Sequence, residues 1–137
     1  MEKYFNNVSV VFSIVGGGLA WLFGGWDILL WTLVGFIILD YLTGLAKGWK
    51  TKTLSSETGF EGLIKKMMIL TLVVMANFLQ KLIGEAVPIR EIVILFFISN
   101  EGISLLENAA LFIDIPPQLK DALLQIRDKD KEEEEKM

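Results

Sequence analysis

The sequence contains no cysteine and no histidine. Without cysteine the chain has no disulfide, no thiolate nucleophile and no thiolate ligand for a metal ion. Without histidine it lacks the side chain that most often acts as a general base or binds a transition metal. These absences argue against an enzyme and against a metal centre, and no motif indicates a cofactor.

Basic residues are also too few to indicate a nucleic-acid partner. The 137 residues include 13 Lys and Arg against 17 Asp and Glu, which gives a formal net charge of −4. Binding to nucleic acid requires a basic patch or stripe, and the sequence has no large one. We therefore expect no contact with DNA or RNA.

Most charges lie outside four long apolar segments, which run about 8–23, 28–46, 67–83 and 92–113. A helix needs roughly 20 residues to cross the hydrocarbon core, with ~17 near the minimum. The second and fourth segments meet this length, and the first and third are near the minimum. The pattern predicts an all-α integral membrane protein with about four transmembrane helices. A soluble bundle is disfavoured because the first three segments lack a polar face.

Two short connections predict that these helices form two hairpins, with turns at 24–27 and 84–90. The connection between the second and third segments, 47–66, is longer and polar. Within it Ser55-Ser56-Glu57 resembles a helix start. Apolar residues then recur at helical spacing at Phe60, Leu63, Ile64 and Met67. We expect a surface amphipathic segment here, between helices 2 and 3.

The chain after Pro116-Pro117 has a different composition. Leu119, Leu123 and Ile126 share one helical face, which predicts a cytoplasmic C-terminal amphipathic helix. After Arg127 nearly every residue is charged, and such a run is expected to be disordered. The sequence thus predicts a membrane domain over 1–115 and a charged cytoplasmic tail over 116–137.

Lysines predict the orientation of the chain in the membrane. The connection 47–66 carries Lys47, Lys50, Lys52, Lys65 and Lys66. The two short turns carry only Arg90, and short cation-rich loops stay in the cytoplasm. With four crossings both termini are then cytoplasmic, whereas three crossings would place one terminus outside.

The fourth apolar segment carries a polar stripe. At about 100° per residue, its members fall within an arc of about 120°. They are Asn100, Glu101, Ser104, Glu107 and Asn108. A carboxylate in hydrocarbon costs about 3 kcal/mol even on permissive scales, so this stripe must face protein or water. Two readings stay open: a hydrogen-bond network that packs the fold, and a surface that lines a lumen or joins subunits.

Two further features concern helix packing within the membrane. Asp40 is an intramembrane acid, for which Lys47, Lys65 and Lys66 are candidate partners. Small residues recur every four positions at Gly16, Ala20 and Gly24, and Gly44 begins a similar pair with Gly48. This spacing is typical of helices whose backbones approach closely in lipid.

Three stretches together resemble a known family, the toxin-secretion and phage-lysis holins, which includes holin-like proteins of clostridial toxin loci. The first is Asp40-Tyr41-Leu42-Thr43-Gly44, at the end of a membrane helix. The second is Leu54-Ser55-Ser56 with Gly59 and Gly62, followed by Lys65-Lys66. The third and most distinctive runs from Asn100 to Asn108 and is followed by Ile115-Pro116-Pro117.

The resemblance implies a homo-oligomer that accumulates in the cytoplasmic membrane and then assembles into large lesions. An endolysin, or a toxin in some loci, crosses through them without a direct binding contact being implied. The family has no catalytic residues, so none are assigned. A small selective channel or transporter stays open as an alternative, with Asp40, Glu101 and Glu107 as ion sites. A membrane scaffold or holin antagonist is another.

Overall fold

A computed structural model describes residues 1–136 and has five helices and no strand within them. The helices are α1 (Glu2–Phe23), α2 (Ile28–Thr51), α3 (Ser56–Ile83), α4 (Ile89–Ala110) and α5 (Pro117–Lys136). The prediction of an all-α fold is confirmed. The first three contain the first three apolar segments and extend beyond them or end with them, whereas α4 ends at Ala110, three residues before the predicted end of the fourth.

Local signals fix the helix ends at both turns that precede α2 and α3. Asp27 caps α2 by accepting a hydrogen bond from the Leu30 N–H at 3.0 Å. Ser55 caps α3 in the same way through the Thr58 N–H, at 3.1 Å. Each cap satisfies a backbone donor that the first helical turn leaves free. Gly24 ends α1 with a φ of +82°, a conformation that suits glycine.

The core lies where α4 packs between α2 and α3. The most extensive helix contact joins α2 to α4, and α4 also packs on α3 and α5. The core is made of branched aliphatic residues from these helices: Leu30, Leu33, Ile37, Val73, Ile94 and Ile98. Because α4 has neighbours on several sides, it holds more buried residues than any other helix.

By contrast, α1 has no buried residue, and it packs mainly on α3 rather than on α2. Its main aromatic contact joins Trp21 to Phe78, with ring centroids 5.3 Å apart. The rest of α1 exposes large apolar side chains such as Phe5 and Phe12. An apolar surface of this size is typical of a helix that lies in lipid or against another protein. A tight pairing of α1 with α2 is therefore not confirmed.

Three helices, α1, α2 and α3, are long and apolar enough to cross a membrane. This supports a membrane location for the protein. The fourth crossing, by α4, is not among them and stays a prediction. So does the placement of both termini in the cytoplasm.

The expectation of a separate surface segment between helices 2 and 3 is wrong, because α3 is one continuous helix from Ser56. Its 28 residues correspond to about 42 Å, whereas the hydrocarbon core is about 30 Å thick. The α3 helix is therefore about 12 Å longer than the hydrocarbon core is thick, and it has no break.

The expectation of disorder after Arg127 is also wrong, because α5 continues to Lys136. The helix runs back along α4: Leu123 lies against Gly102, and Glu134 lines a groove beside Ile89 and Val93. Lys129 and Lys131 each precede a glutamate by four residues, a spacing that supports an exposed helix. Packing on α4 and this charge pattern together account for order that composition alone did not predict.

Candidate functional site

The charged cluster, which we define as Asp40, Lys66, Glu101 and Asn108, joins α2, α3 and α4 in the middle of the bundle. The Lys66 ammonium donates hydrogen bonds to Oδ2 of Asp40 and to Oε2 of Glu101. Only 15% of the Lys66 side chain is exposed, with 7% for Asp40 and 9% for Glu101. One cation from α3 thus holds acids from two other helices.

Asn108 completes the cluster from the second side of Asp40. Its Nδ2 donates to Oδ1 of Asp40 at 2.9 Å, and it also approaches the Thr43 hydroxyl at 3.1 Å. Both carboxylate oxygens of Asp40 therefore have a donor. The cluster nevertheless places two acids around one cation, a formal charge of −1. Such a group is tolerated at membrane depth only when it is enclosed by protein or reached by water.

The polar stripe of α4 divides into two surfaces in the structure. Glu101 and Asn108 are buried in the charged cluster, and Ser104 lies half-buried beside them. Asn100 and Glu107 lie at the other edge of the stripe and are exposed. Neither forms a side-chain hydrogen bond or ion pair within residues 1–136. An arc of 120° is wide enough to include both a packed face and a free edge of one helix.

A second polar group, the arginine cluster, lies at the end of the bundle where α1 turns into α2. It consists of Arg90, Asp27 and Asn77. Arg90 is 3% exposed, and its guanidinium forms a two-pronged pair with Asp27 at 2.8 and 3.1 Å. Arg90 also donates to the backbone oxygens of Phe23 and Gly25. The hydrogen bond from Arg90 holds the pKa of Asp27 below its usual value.

Asn77 anchors the same turn from α3, because its side-chain amide donates to the backbone oxygens of Trp21 and Leu22 at 3.2 and 2.9 Å. These carbonyls belong to the last turn of α1, where no further helical residue can use them. A Cβ at Gly24 would lie 2.5 Å from the Asn77 side chain, so this glycine is required here. The arginine cluster therefore fixes the end of α1 to α3 and α4.

The sequence did not assign a role to the arginine cluster. Two signals pointed to it: Arg90 is the only basic residue in the two short turns, and Asn77 interrupts an apolar run. Both are costly in a membrane unless they find partners. Which partners they find depends on how α1 lies against α3, and the helix pattern of one segment does not specify that.

The small residues expected to pack helices lie in different surroundings. Gly16 has no atom near the position of a Cβ, and Ala20 is half-buried one turn later. Gly24 belongs to the turn after α1 and not to a helix face. Gly44 is close to the charged cluster, with its Cβ position 3.7 Å from Asn108. A close contact between helices at Gly16 and Ala20 stays a prediction. Its partner would be a helix of another subunit.

The five lysines of residues 47–66 lie on α2 and α3, except Lys52 between them, and they differ from one another. Lys66 belongs to the charged cluster, and Lys50 donates to the Leu111 backbone oxygen. Lys47 is exposed and lines an open cavity between α2 and α3. Lys52 and Lys65 are exposed. Within residues 1–136 no group of three or more acidic side chains is arranged to hold a metal ion.

Comparison with known proteins gives a consistent result over most of the chain. Residues 17–128 match the bacteriophage holin family. An uncharacterized 14.9 kDa protein in the nagH 3′ region of Clostridium perfringens is 44% identical over 131 residues, covering 94% of this chain and 99% of the relative. The protein Lmo0128 of Listeria monocytogenes is 39% identical, covering 94% of both chains.

One similar protein has a functional name. A probable holin of Bacillus phage phi105 is 34% identical over 118 residues, which cover 85% of this chain and 87% of the phage protein. No solved structure matches the chain significantly. The family and this relative indicate a membrane protein.

Proposed function

The chain belongs to the bacteriophage holin family, and from this premise we propose that it oligomerises in the bacterial cytoplasmic membrane and forms lesions. An endolysin, or a secreted toxin, would cross the membrane through them. One observation carries the proposal: the free polar edge of α4, Asn100 and Glu107, which has no partner within the described chain.

The position of Asn100 makes this edge costly for a single subunit. Asn100 lies eleven residues after the start of α4 and ten before its end, about 16 Å from each. If α4 crosses the bilayer, its amide is near the midplane, where no water can satisfy it. Glu107 lies on the same edge two turns later, closer to the inner surface. A second subunit or a water-filled lumen would relieve this cost for both side chains.

The two acids of the charged cluster already have partners, which separates this proposal from a selective ion pathway. Both acids of the charged cluster accept hydrogen bonds from Lys66, and Asp40 accepts a further one from Asn108. They are therefore poor free ligands for a permeating cation. In the proposed assembly the charged cluster holds α2, α3 and α4 together as a subunit, and the free polar edge joins or lines the oligomer.

The α5 helix cannot stay on α4 if that side of α4 faces lipid. It lies along α4 and carries charge through Lys136, and a helix of this composition cannot face hydrocarbon. We therefore propose that α5 leaves α4 for the cytoplasm on membrane insertion, or that the α4–α5 side faces water in the assembly. If α5 leaves α4, 116–137 acts as a cytoplasmic tail and both termini are inside.

The test uses the full chain reconstituted into vesicles that contain a small dye and a protein of endolysin size. The wild-type chain should release both, and its oligomers should be large after cross-linking. Asn100→Ala with Glu107→Ala should lower the release of the large cargo at least tenfold. The matched control is Asn6→Ala with Glu61→Ala, which removes one amide and one acid at exposed positions outside α4.

Two results would contradict the proposal. Release of the dye alone, with selectivity among ions, would assign the chain to the channel class. Normal release by the Asn100 and Glu107 double variant would show that the free polar edge has no part in assembly.

A further inference from the structure

An open cavity lies where the last turns of α2 meet the first turns of α3. Its volume is about 300 Å³, and it opens to the surface. Glycines form much of its wall: Gly44 and Gly48 on α2, and Gly59 and Gly62 on α3. Because these residues have no side chains, the two helices leave a space that larger residues would fill.

Tyr41 of α2 lies between α2 and α3 at the cavity. Its hydroxyl donates to the Gly59 backbone oxygen at 3.2 Å, and its ring lies 3.7 Å from the Cβ position of Gly62. The aromatic ring therefore sets the spacing between α2 and α3 at this level. The cavity is thus a feature of the packing between these helices.

The lining of the cavity combines apolar side chains with a basic side chain. Leu45 and Leu54 contribute apolar surface, and Thr53 and Thr58 contribute hydroxyls. Lys47 is an exposed cation with no ion pair within residues 1–136. Asp40 is the one carboxylate in the lining, and its two oxygens already accept hydrogen bonds from Lys66 and Asn108.

The charge of the surrounding segment favours an anion. Residues 47–66 contain five lysines and two glutamates, a net charge of +3. The two glutamates, Glu57 and Glu61, do not line the cavity. Trp49 is exposed at the same end of α2, in a position suited to the headgroup level. A ligand that enters here would meet cations and hydroxyls first and apolar walls next.

We propose that this cavity binds an anionic phospholipid, with its phosphate beside Lys47 and the upper part of an acyl chain against Leu45 and Leu54. Phosphate is an anion with which lysine forms charge-assisted hydrogen bonds. A lipid also supplies the apolar portion that a free phosphate lacks. Lysines close to a membrane surface contribute attraction to anionic lipids. The proposal does not depend on pore formation.

The test is native mass spectrometry of the full chain in a non-ionic detergent, with phosphatidylglycerol or phosphatidylcholine added. One phosphatidylglycerol should remain bound and phosphatidylcholine should not. Lys47→Gln should lower the bound fraction about fivefold, the effect expected for one lysine near a lipid surface. Lys47→Arg should retain binding, since it keeps the charge.

Lys52→Gln is the matched control, because Lys52 is exposed in the same segment but does not line the cavity. It should leave the bound fraction within twofold of wild type. Equal losses in Lys47→Gln and Lys52→Gln would show diffuse attraction and overturn the site. Equal retention of the two lipids would also overturn it. Displacement of the lipid by millimolar inorganic phosphate would assign the cavity to a soluble phosphate compound instead.

Discussion

Lys66→Met should destabilise the membrane bundle more than any other single lysine change in the chain. The substitution keeps the length and apolar stem of the side chain and removes the ammonium. Asp40 then keeps Asn108 as its partner, but Glu101 loses the only ion pair that it forms within the described residues. The two acids also repel each other without a cation between them.

The size of the loss follows from burial. Removing one partner of a buried ion pair costs about 3–5 kcal/mol, because the remaining charge is left without compensation. Lys66 serves two acids, but Asp40 retains a hydrogen bond, so we expect about 4 kcal/mol. Lys65→Met is the matched control, because Lys65 is exposed and adjacent. Its effect should be under about 1 kcal/mol, as for most surface changes.

The assay is denaturant unfolding of the purified chain in detergent micelles, followed by tryptophan fluorescence and helical circular dichroism. A triple variant with Lys66→Met, Asp40→Asn and Glu101→Gln separates charge from packing. Neutral side chains remove the uncompensated charge, so this variant should recover more than half of the loss. Equal effects of Lys66→Met and Lys65→Met, or no recovery in the triple variant, would refute the account of the charged cluster.

Three other predictions concern the ends of the bundle and the α4–α5 contact. Because Arg90 lowers the pKa of Asp27, this pair stabilises the fold fully above the usual carboxyl pKa and progressively less as the pH falls below about 4. The unfolding midpoint of the wild-type chain should therefore fall at acid pH, and Asp27→Asn should abolish this fall. A Cβ at Gly102 would lie 2.7 Å from Leu123, so Gly102→Ala should speed hydrogen exchange in α5, and adding Leu123→Ala should restore part of the protection. Burial, together with the nearby Glu134 and Glu133, raises the pKa of Asp130 to about 6. The protonated form therefore favours the packing of α5 on α4. This contribution to α5 binding should be complete below pH 4 and should be lost as the pH rises through 6. Asp130→Asn should remove the pH dependence of labelling at a Leu123→Cys reporter, in a chain with no native cysteine. A protection pattern independent of these changes would show that α5 is not held on α4 by these contacts.

The sequence predicted the helices well because their signals are local. Apolar runs, the helix start at Ser55 and the turn at 24–27 each depend on a few neighbouring residues, and the structure has helices at all four apolar segments. The boundaries of the apolar runs were less informative, since a helix can continue beyond the hydrocarbon. That is why α3 begins eleven residues before the segment from Met67.

Contacts between helices were harder to predict, because they depend on how each helix is rotated against its neighbours. The sequence placed Asp40 in the membrane and named three lysines as candidate partners, and only the packing of α3 on α2 selects Lys66. The same packing divides the polar stripe of α4 into a buried face and an exposed edge. Helical periodicity places Glu107 and Asn108 about 100° apart, but it does not show which edge of the stripe faces the bundle.

The most direct test of the account is whether induction of this chain alone, in a bacterial host, lets a folded cytoplasmic enzyme of endolysin size reach the periplasm or medium. The account expects abrupt release after a delay, together with large cross-linked oligomers in the membrane fraction. Slow leakage of ions with retention of the enzyme would contradict it, as would a chain that stays monomeric in the membrane while release occurs.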